Sequence, residues 1–253
     1  MKKLLGILLI LLGSSCNKEK LFDGPDAYSD DFESYHILDE MLLDNDVKWS
    51  FTQNTYSGNL IEVDSSFAHT GSKSMHFKAS KSTNEHGASK ASIAKQNMAF
   101  WENEILVVEG WHFLAGNDSA NWLFLLDLEE QTAIGAGPGM RLALVNGAIR
   151  VEHKYNNPDI LQLTSTPVQM PRNQWVHIKF ESKLVQKKKG YVKVWQDDVL
   201  IIDQSNWKTL PKDILYFQQG TKGMYSSIEF GITANTHDSD MEIWVDDIQI
   251  WKK

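Results

Sequence analysis

The sequence predicts an all-β fold, a two-sheet antiparallel β-sandwich. Short runs that alternate apolar and polar residues recur along the chain. Turn residues separate them in the manner of sandwich strands, and no long stretch carries the 3.6-residue periodicity of an amphipathic helix. Nine Trp, seven Tyr and eleven Phe agree with this, because aromatic and β-branched side chains pack well on pleated sheets. With 253 residues the chain has enough material for one large β domain, and no linker or internal repeat divides it after Asp30.

Taken in chain order, the first segment is a targeting signal. Met1-Lys2-Lys3 precedes the apolar run Leu4–Leu12, and Gly13-Ser14-Ser15-Cys16 follows. A basic start, a short apolar stretch and small residues make a secretory signal, and the run is too short to span a bilayer. Small residues directly before the one cysteine of the chain resemble the bacterial lipobox. That resemblance implies removal of residues 1–15, a lipid on Cys16, and a place on the bacterial cell envelope, at the outer membrane or cell surface, with membrane contact through the anchor only. The alternative is a plain signal peptide with an incidental cysteine. Residues 16–29 are polar with Gly and Pro and read as a tether, which leaves 30–253 as the folded domain. Loss of Lys2 and Lys3 takes the formal charge from −8 to −10. Such a surface repels nucleic acid, so none is expected as a partner, and the domain is expected to act as a monomer. Lys187–Lys189, beside Gly190, reads as a solvated turn.

The strands follow. Ser74–Ala79 sets Met75, Phe77 and Ala79 against Ser74, His76 and Lys78. Val107–Phe113 and Trp122–Leu128 come next, the second placing Trp122, Phe124, Leu126 and Leu128 on one face. Asn146-Gly147, the strongest two-residue turn signal, joins Met140–Val145 to Ala148–Tyr155. A two-residue loop pairs Val145 with Ala148, and counting outward sets Arg141 opposite Glu152, with Arg150 and Lys154 on the same face. That charged strip either grips sugar hydroxyls or is a solvated outer face. Val176, Ile178 and Phe180 alternate with Trp175, His177 and Lys179, and Ile228, Phe230 and Ile232 with Ser227, Glu229 and Thr233. In the closing strand Ile243 and Val245 share one parity and Ile248 and Ile250 the other, which requires a β-bulge at Asp246-Asp247.

Two ends of this domain resemble the calcium-stabilised jelly rolls of carbohydrate-binding modules and polysaccharide lyases. Phe32-Glu33, Trp49 and Ala68-His69-Thr70-Gly71-Ser72-Lys73-Ser74-Met75 match their opening pattern. Ile243-Trp244-Val245-Asp246-Asp247-Ile248-Gln249-Ile250 matches their close. Between them, Asn173–Ile178, Gly190–Trp195 and Val199–Asp203 look like the middle strands of concanavalin A-like domains. The resemblance implies a jelly roll with first and last strands adjacent. It also implies a structural Ca²⁺ held by Glu33 and Asp247, with Asp31 and Asp246 beside them and carbonyls of the Gly71–Ser74 loop. Oxygen donors of this kind suit calcium, although the same acids would also serve as solvated turn residues.

Catalysis is the weaker expectation. Lyases of this class neutralise a uronate carboxylate and move a proton with Tyr or His, on strands patterned "R-x-E-L", "Q-x-H" and "Y-F-K-x-G-x-Y". The nearest equivalent of the last is Ser226–Thr233, with Glu229 in place of Lys and Thr233 in place of Tyr. A carboxylate at 229 is expected to repel a uronate. Leu125–Glu129 stands nearest "Q-x-H" and has neither amide nor imidazole. Asp127 and Glu129, at i and i+2 on one strand, are the best hydrolase pair. Serine-nucleophile, P-loop and zinc signatures are missing, and the eight histidines show no metal-ligand spacing. Glycan modules stack sugars on exposed rings. Trp175 and Trp195 fall on the polar parity of their strands, with His177 beside the first, so they are candidate sugar contacts or indoles buried under loops. Trp111 and Trp122 share their faces with apolar neighbours. The sequence thus points to a surface-anchored lipoprotein that binds polysaccharide and lacks the usual lyase residues. A polysaccharide lyase or glycoside hydrolase of altered mechanism, using Asp127, Glu129 and Glu229 or the Arg141/Glu152/Lys154 strip, and a structural envelope protein, are the alternatives.

Overall fold

The computed structural model describes residues 24–42, 47–83, 85, 87–132, 135–153, 159–210 and 223–253. The signal segment, Cys16, His86 and Lys154 lie outside the described residues. In chain order the elements are β1 (Ala27–Asp30), α1 (Leu38–Met41), β2 (Phe51–Asn54), β3 (Leu60–Asp64), β4 (Ser74–Ala79), β5 (Ala91–Lys95), β6 (Phe100–Trp101) and β7 (Ile105–Leu114). There follow β8 (Leu123–Thr132), β9 (Gly135–Val145), β10 (Ala148–His153), β11 (Trp175–Lys183), β12 (Gly190–Gln196), β13 (Val199–Trp207), β14 (Met224–Ala234) and β15 (Met241–Lys252).

These strands form two antiparallel sheets, as the alternating runs predict. The first runs β13-β12-β11-β7-β15-β4-β3, with β1 also on β15; the second runs β10-β9-β8-β14-β5-β2, with β6 on β14. The inward residues of both sheets make one core. Met75, Phe77 and Ala79 of β4, Val176, Ile178 and Phe180 of β11, and Ile228, Phe230 and Ile232 of β14 all belong to it. Burial of each Val, Ile, Phe or Met among them contributes roughly 1.5–3 kcal/mol. No described helix is long and apolar enough to cross a membrane.

Register follows the turn chemistry. The β9–β10 hairpin pairs Val145 with Ala148, Leu142 with Val151 and Arg141 with Glu152, as the Asn146-Gly147 turn dictates; both turn residues have positive φ. The closing bulge is present. Asp246 pairs with Trp111 and Gln249 with Glu109, so β15 holds one extra residue, and Asp247 takes φ 50°. Ile243, Val245, Ile248 and Ile250 accordingly all reach the core.

Bulge and chain ends meet. Below the bulge β15 pairs with β4 and beyond it with β1, so the chain's first and last strands are neighbours. Because Ala27–Asp30 is already in the sheet, the sandwich starts three residues before the boundary drawn at Asp30. The corner is locked by Asp30, which accepts hydrogen bonds from Tyr28 Oη (3.0 Å), Tyr35 Oη (2.9 Å), Trp49 Nε1 (2.8 Å) and the Phe32 amide (2.9 Å). At the opposite side, the segment around residues 160–170 straps the two sheets together. Ile160 bridges to Val151 and Gln169 to Ala148 at the edge of β10, while the Leu163 amide donates to the Ile201 carbonyl of β13.

One strand departs from its predicted parity. In β8 the register against β9 slips between Phe124 and Leu126, and Leu123, Leu125, Leu126 and Leu128 are the residues in the core. A β-bulge at Leu125 is the physical reason. It leaves Trp122 exposed and turns Phe124 to the outer face, so the expected Trp122–Leu128 apolar stripe does not form. Trp111 shares the outer parity of β7 with Val107 and Phe113. Leu106, Val108 and Leu114 of β7 point into the core, which sets Trp111 on the outer face of the first sheet with Trp175 and His177.

Candidate functional site

The outer face of the second sheet gathers the acids singled out in the sequence. Gln53 of β2 pairs with Ser92 of β5, Glu229 of β14 with Asp127 of β8, Asp127 with Arg141 of β9, and Arg141 with Glu152 of β10. All point away from the core, since their strand neighbours Ile93, Ile228, Leu128, Leu142 and Val151 fill it. One polar row therefore crosses all six strands, stepping by two residues between β5 and β14, where Ser92 pairs with Gly231. The row is tightly hydrogen-bonded. Gln53 Nε2 donates to Glu229 Oε1 (2.6 Å), Lys90 Nζ donates to Gln53 Oε1 (2.8 Å), Thr233 Oγ1 donates to Asp127 Oδ1 (3.0 Å), and Ser92 Oγ lies 3.5 Å from Glu229 Oε2. Arg141 is paired with Glu152 and stacks over the Phe124 ring at 4.6 Å.

Asp127, Glu129 and Glu229 bring carboxylate oxygens within 4.8 Å of one another. Burial pushes the Glu229 carboxyl up to about 8, with the negative charges of Glu129 and Asp127 adding to the effect. Asp127 is also raised by burial, against the pull of Arg141 and the Thr233 hydrogen bond. Desolvation and like charge both disfavour the ionised form, so Glu229 keeps its proton at neutral pH.

Beside this row opens a cleft of about 600 Å³ lined by Trp122, Phe124, Arg141, Ser82, Asn235 and His237 among others. Trp122 is 52% exposed and its ring lies 5.4 Å from that of Phe124. The two rings and the Arg141 guanidinium form an amphipathic wall of the kind that holds ring-shaped polar ligands.

The remaining predicted residues are elsewhere. Trp175, His177 and Trp195 sit on the outer face of the first sheet, on the far side of the molecule from Asp127. There Trp175 stacks on Phe67 at 5.5 Å and meets His69 and Phe113. Trp111 lies flat against His69 at 3.7 Å and tilts towards His177. Lys179 lies over Trp195 and Trp251. Phe67 and His69, from the loop between β3 and β4, thus pack onto part of this aromatic face.

At the chain ends the four acids engage that loop in detail. Glu33 accepts from the Ser72 and Lys73 amides (2.7 Å each) and from Ser72 Oγ (2.8 Å), which holds its carboxyl below the usual range. Asp246 accepts from the His69, Thr70 and Asp247 amides, and burial raises it to about 6. Asp247 accepts from Thr70 Oγ1 and meets His69 Nδ1 at 2.8 Å, while Asp31 accepts from the Glu33 amide. Gly71, at φ +62°, is required because a Cβ there would stand 2.4 Å from Glu33 Oε1. The loop presents N–H and O–H donors to these carboxylates, whereas calcium needs acceptor oxygens. As arranged, hydrogen bonds from the loop tie the chain ends together.

Sequence reasoning missed Gln53, Ser92, Lys90 and Phe124 as parts of the site. Gln53 is 176 residues from Glu229, and only closure of the sheet joins them. Phe124 was hidden by the bulge.

Comparison with known proteins agrees with the architecture. A family model described as polysaccharide lyase matches residues 44–249. Among solved structures, the endo-beta-1,4-glucuronan lyase of the fungus Trichoderma reesei superposes with a TM-score of 0.64 at 12% identity, over 80% of this chain and 90% of that one. The cellulose induced protein Cip1 gives 0.60 at 18% identity, over 88% and 96%. The alginate lyase Aly36B, bound to an alginate trisaccharide, gives 0.58 at 9% identity, over 90% and 99%. No sequence among the curated proteins is a match. Identities this low speak for the jelly-roll fold alone.

Proposed function

The chain belongs to the polysaccharide lyase family, and on that footing we propose that it is an exported, lipid-anchored protein that binds a polysaccharide across the outer face of its second sheet. The observation that carries this reading is the row Gln53–Glu229–Asp127–Arg141–Glu152 meeting a cleft walled by Trp122 and Phe124. Carboxyl, amide and guanidinium groups match sugar hydroxyls, and the exposed Trp122 ring matches the apolar face of a pyranose. Binding is preferred to cleavage because β14 carries Glu229 and Thr233 where the lyase pattern calls for Lys and Tyr. Affinity electrophoresis of the mature chain through gels containing single polysaccharides tests it. Retardation by at least one glycan, reduced in Trp122→Ala, is expected; free migration through every gel would refute it.

A second reading, a lyase of altered mechanism, is favoured by one observation. Glu229 titrates near neutrality beside the buried Asp127, the condition a proton-transferring group requires. Its product is an unsaturated uronate, detectable by ultraviolet absorbance when uronate polymers are supplied. Absorbance that grows with time and vanishes in Glu229→Gln would establish it. A hydrolase of the inverting kind is disfavoured, since three carboxyls within 4.8 Å leave little room for the water such enzymes hold between two acids.

A further inference from the structure

The carboxyl trio of the second sheet has a neighbour that neither binding nor catalysis uses. Ser227 is fully buried, and its Oγ has no hydrogen-bond partner. It sits directly across from Glu129 in the β14–β8 ladder and two residues from Glu229 on the same strand face. Side chains opposite each other in such a ladder approach to about 5 Å at Cβ. An orphaned buried hydroxyl is destabilising, so its persistence beside three acids calls for an explanation.

The surrounding hydrogen bonds are arranged as supports. Gln53 holds Glu229 by Oε1, with Ser92 Oγ 3.5 Å from its Oε2, and Thr233 holds Asp127 by Oδ1, which orients each carboxyl. Outer partners of this kind fix metal ligands. Among the described residues, Arg141 and Lys90 pull on these acids only in part, and burial still outweighs them at Asp127 and Glu229. Arg141 is committed to Glu152, and Lys90 is bonded to the Gln53 carbonyl.

We propose that Asp127, Glu129, Glu229 and Ser227 form a divalent-cation site, with Ca²⁺ the ion that fits best. Four oxygen donors from adjacent strands give an irregular, all-oxygen set. Ca²⁺ accepts such geometry with carboxylates in one- or two-oxygen modes, whereas Mg²⁺ demands a near-octahedral shell. The absence of sulfur and imidazole disfavours Zn²⁺ and Cu²⁺. Carboxyls bind a metal ion in their ionised form, so uptake releases protons and affinity rises with pH. The ion would place positive charge in the middle of the polar row. Only that last consequence rests on the glycan-binding reading.

Calorimetric titration of chelator-stripped, full-length protein with CaCl₂ alone tests the site. One ion per chain is expected, with protons released in proportion to buffer ionisation heat and affinity at least tenfold higher at pH 8 than at pH 6. Glu129→Gln should weaken binding at least tenfold and Ser227→Ala a few-fold, while Asp247→Asn, at the chain-end corner, should bind as the parent does. Should Glu129→Gln fail to fold, Ser227→Ala carries the test. Absence of Ca²⁺ uptake by the parent chain, or loss of uptake in Asp247→Asn with retention in Ser227→Ala and in any folded Glu129→Gln, overturns the proposal. A protein retarded by a glycan but indifferent to Ca²⁺ would sink this inference alone, and one that takes up Ca²⁺ yet migrates freely in every gel would sink only the glycan reading.

Discussion

Glu229 shows how one side chain couples the site to stability. In the fold its carboxyl titrates at about 8 against an ordinary value of 4.5, so over that interval the folded chain holds a proton that the unfolded chain has released. Stability from this group is therefore complete below the unfolded value and drains away as pH rises towards the folded one, with a slope of at most about 1.4 kcal/mol per pH unit. Replacing it with Gln should flatten the dependence of chemical-denaturation midpoint on pH between 5 and 8, measured in chelator, and should raise stability at pH 8. Trp122 is the complementary case. Half exposed at the mouth of the cleft, it contributes little to the core, so Trp122→Ala should leave the melting temperature within a degree or two. The same change should weaken glycan retardation about tenfold, a loss of about 1.4 kcal/mol.

At the level of strands, the features that position chemistry are irregularities. The bulge at Leu125 in β8 and the shift near Gly231 in β14 face each other across the ladder, and between them they set Phe124, Asp127 and Thr233 around the row. Gly231 is confined by its φ of +116° and by the Ala91 carbonyl and Phe77 ring, which a Cβ would meet at 2.7 and 2.9 Å. Gly231→Ala should thus destabilise the chain by more than about 1 kcal/mol in urea unfolding. These cases mark how far the sequence can be read. The β9–β10 register and the bulge at Asp246-Asp247 were legible because turn chemistry and strict parity leave a single solution. The bulge at Leu125 was not, because the run Leu123–Leu128 offers apolar residues at both parities and so hides a slip. Asp127, Glu129 and Glu229 could be named from the sequence as acids on strand faces. Their convergence, and the arrival of Gln53, depend on strands far apart in the chain meeting in one sheet.

For the whole molecule, closure at the chain ends is the organising event. Asp30 gathers two phenols, an indole and an amide in one buried corner, where β1 meets β15. Asp30→Ala would leave these donors without an acceptor and should cost about 3 kcal/mol or more, seen as a fall in melting temperature with cooperativity retained. At the far side, the strap around residues 160–170 covers the edge of β10, a strand that would otherwise present unpaired amides and carbonyls. The direction of the polar row has an effect of its own. Because it runs across six strands, its five inter-strand steps of about 4.8 Å add to roughly 24 Å, longer than a single sugar can occupy. Oligosaccharides of graded length should therefore bind with rising affinity until the chain bridges β2 to β10, and then plateau. Monosaccharides should compete poorly, and recognition should favour internal stretches of a polymer over its termini.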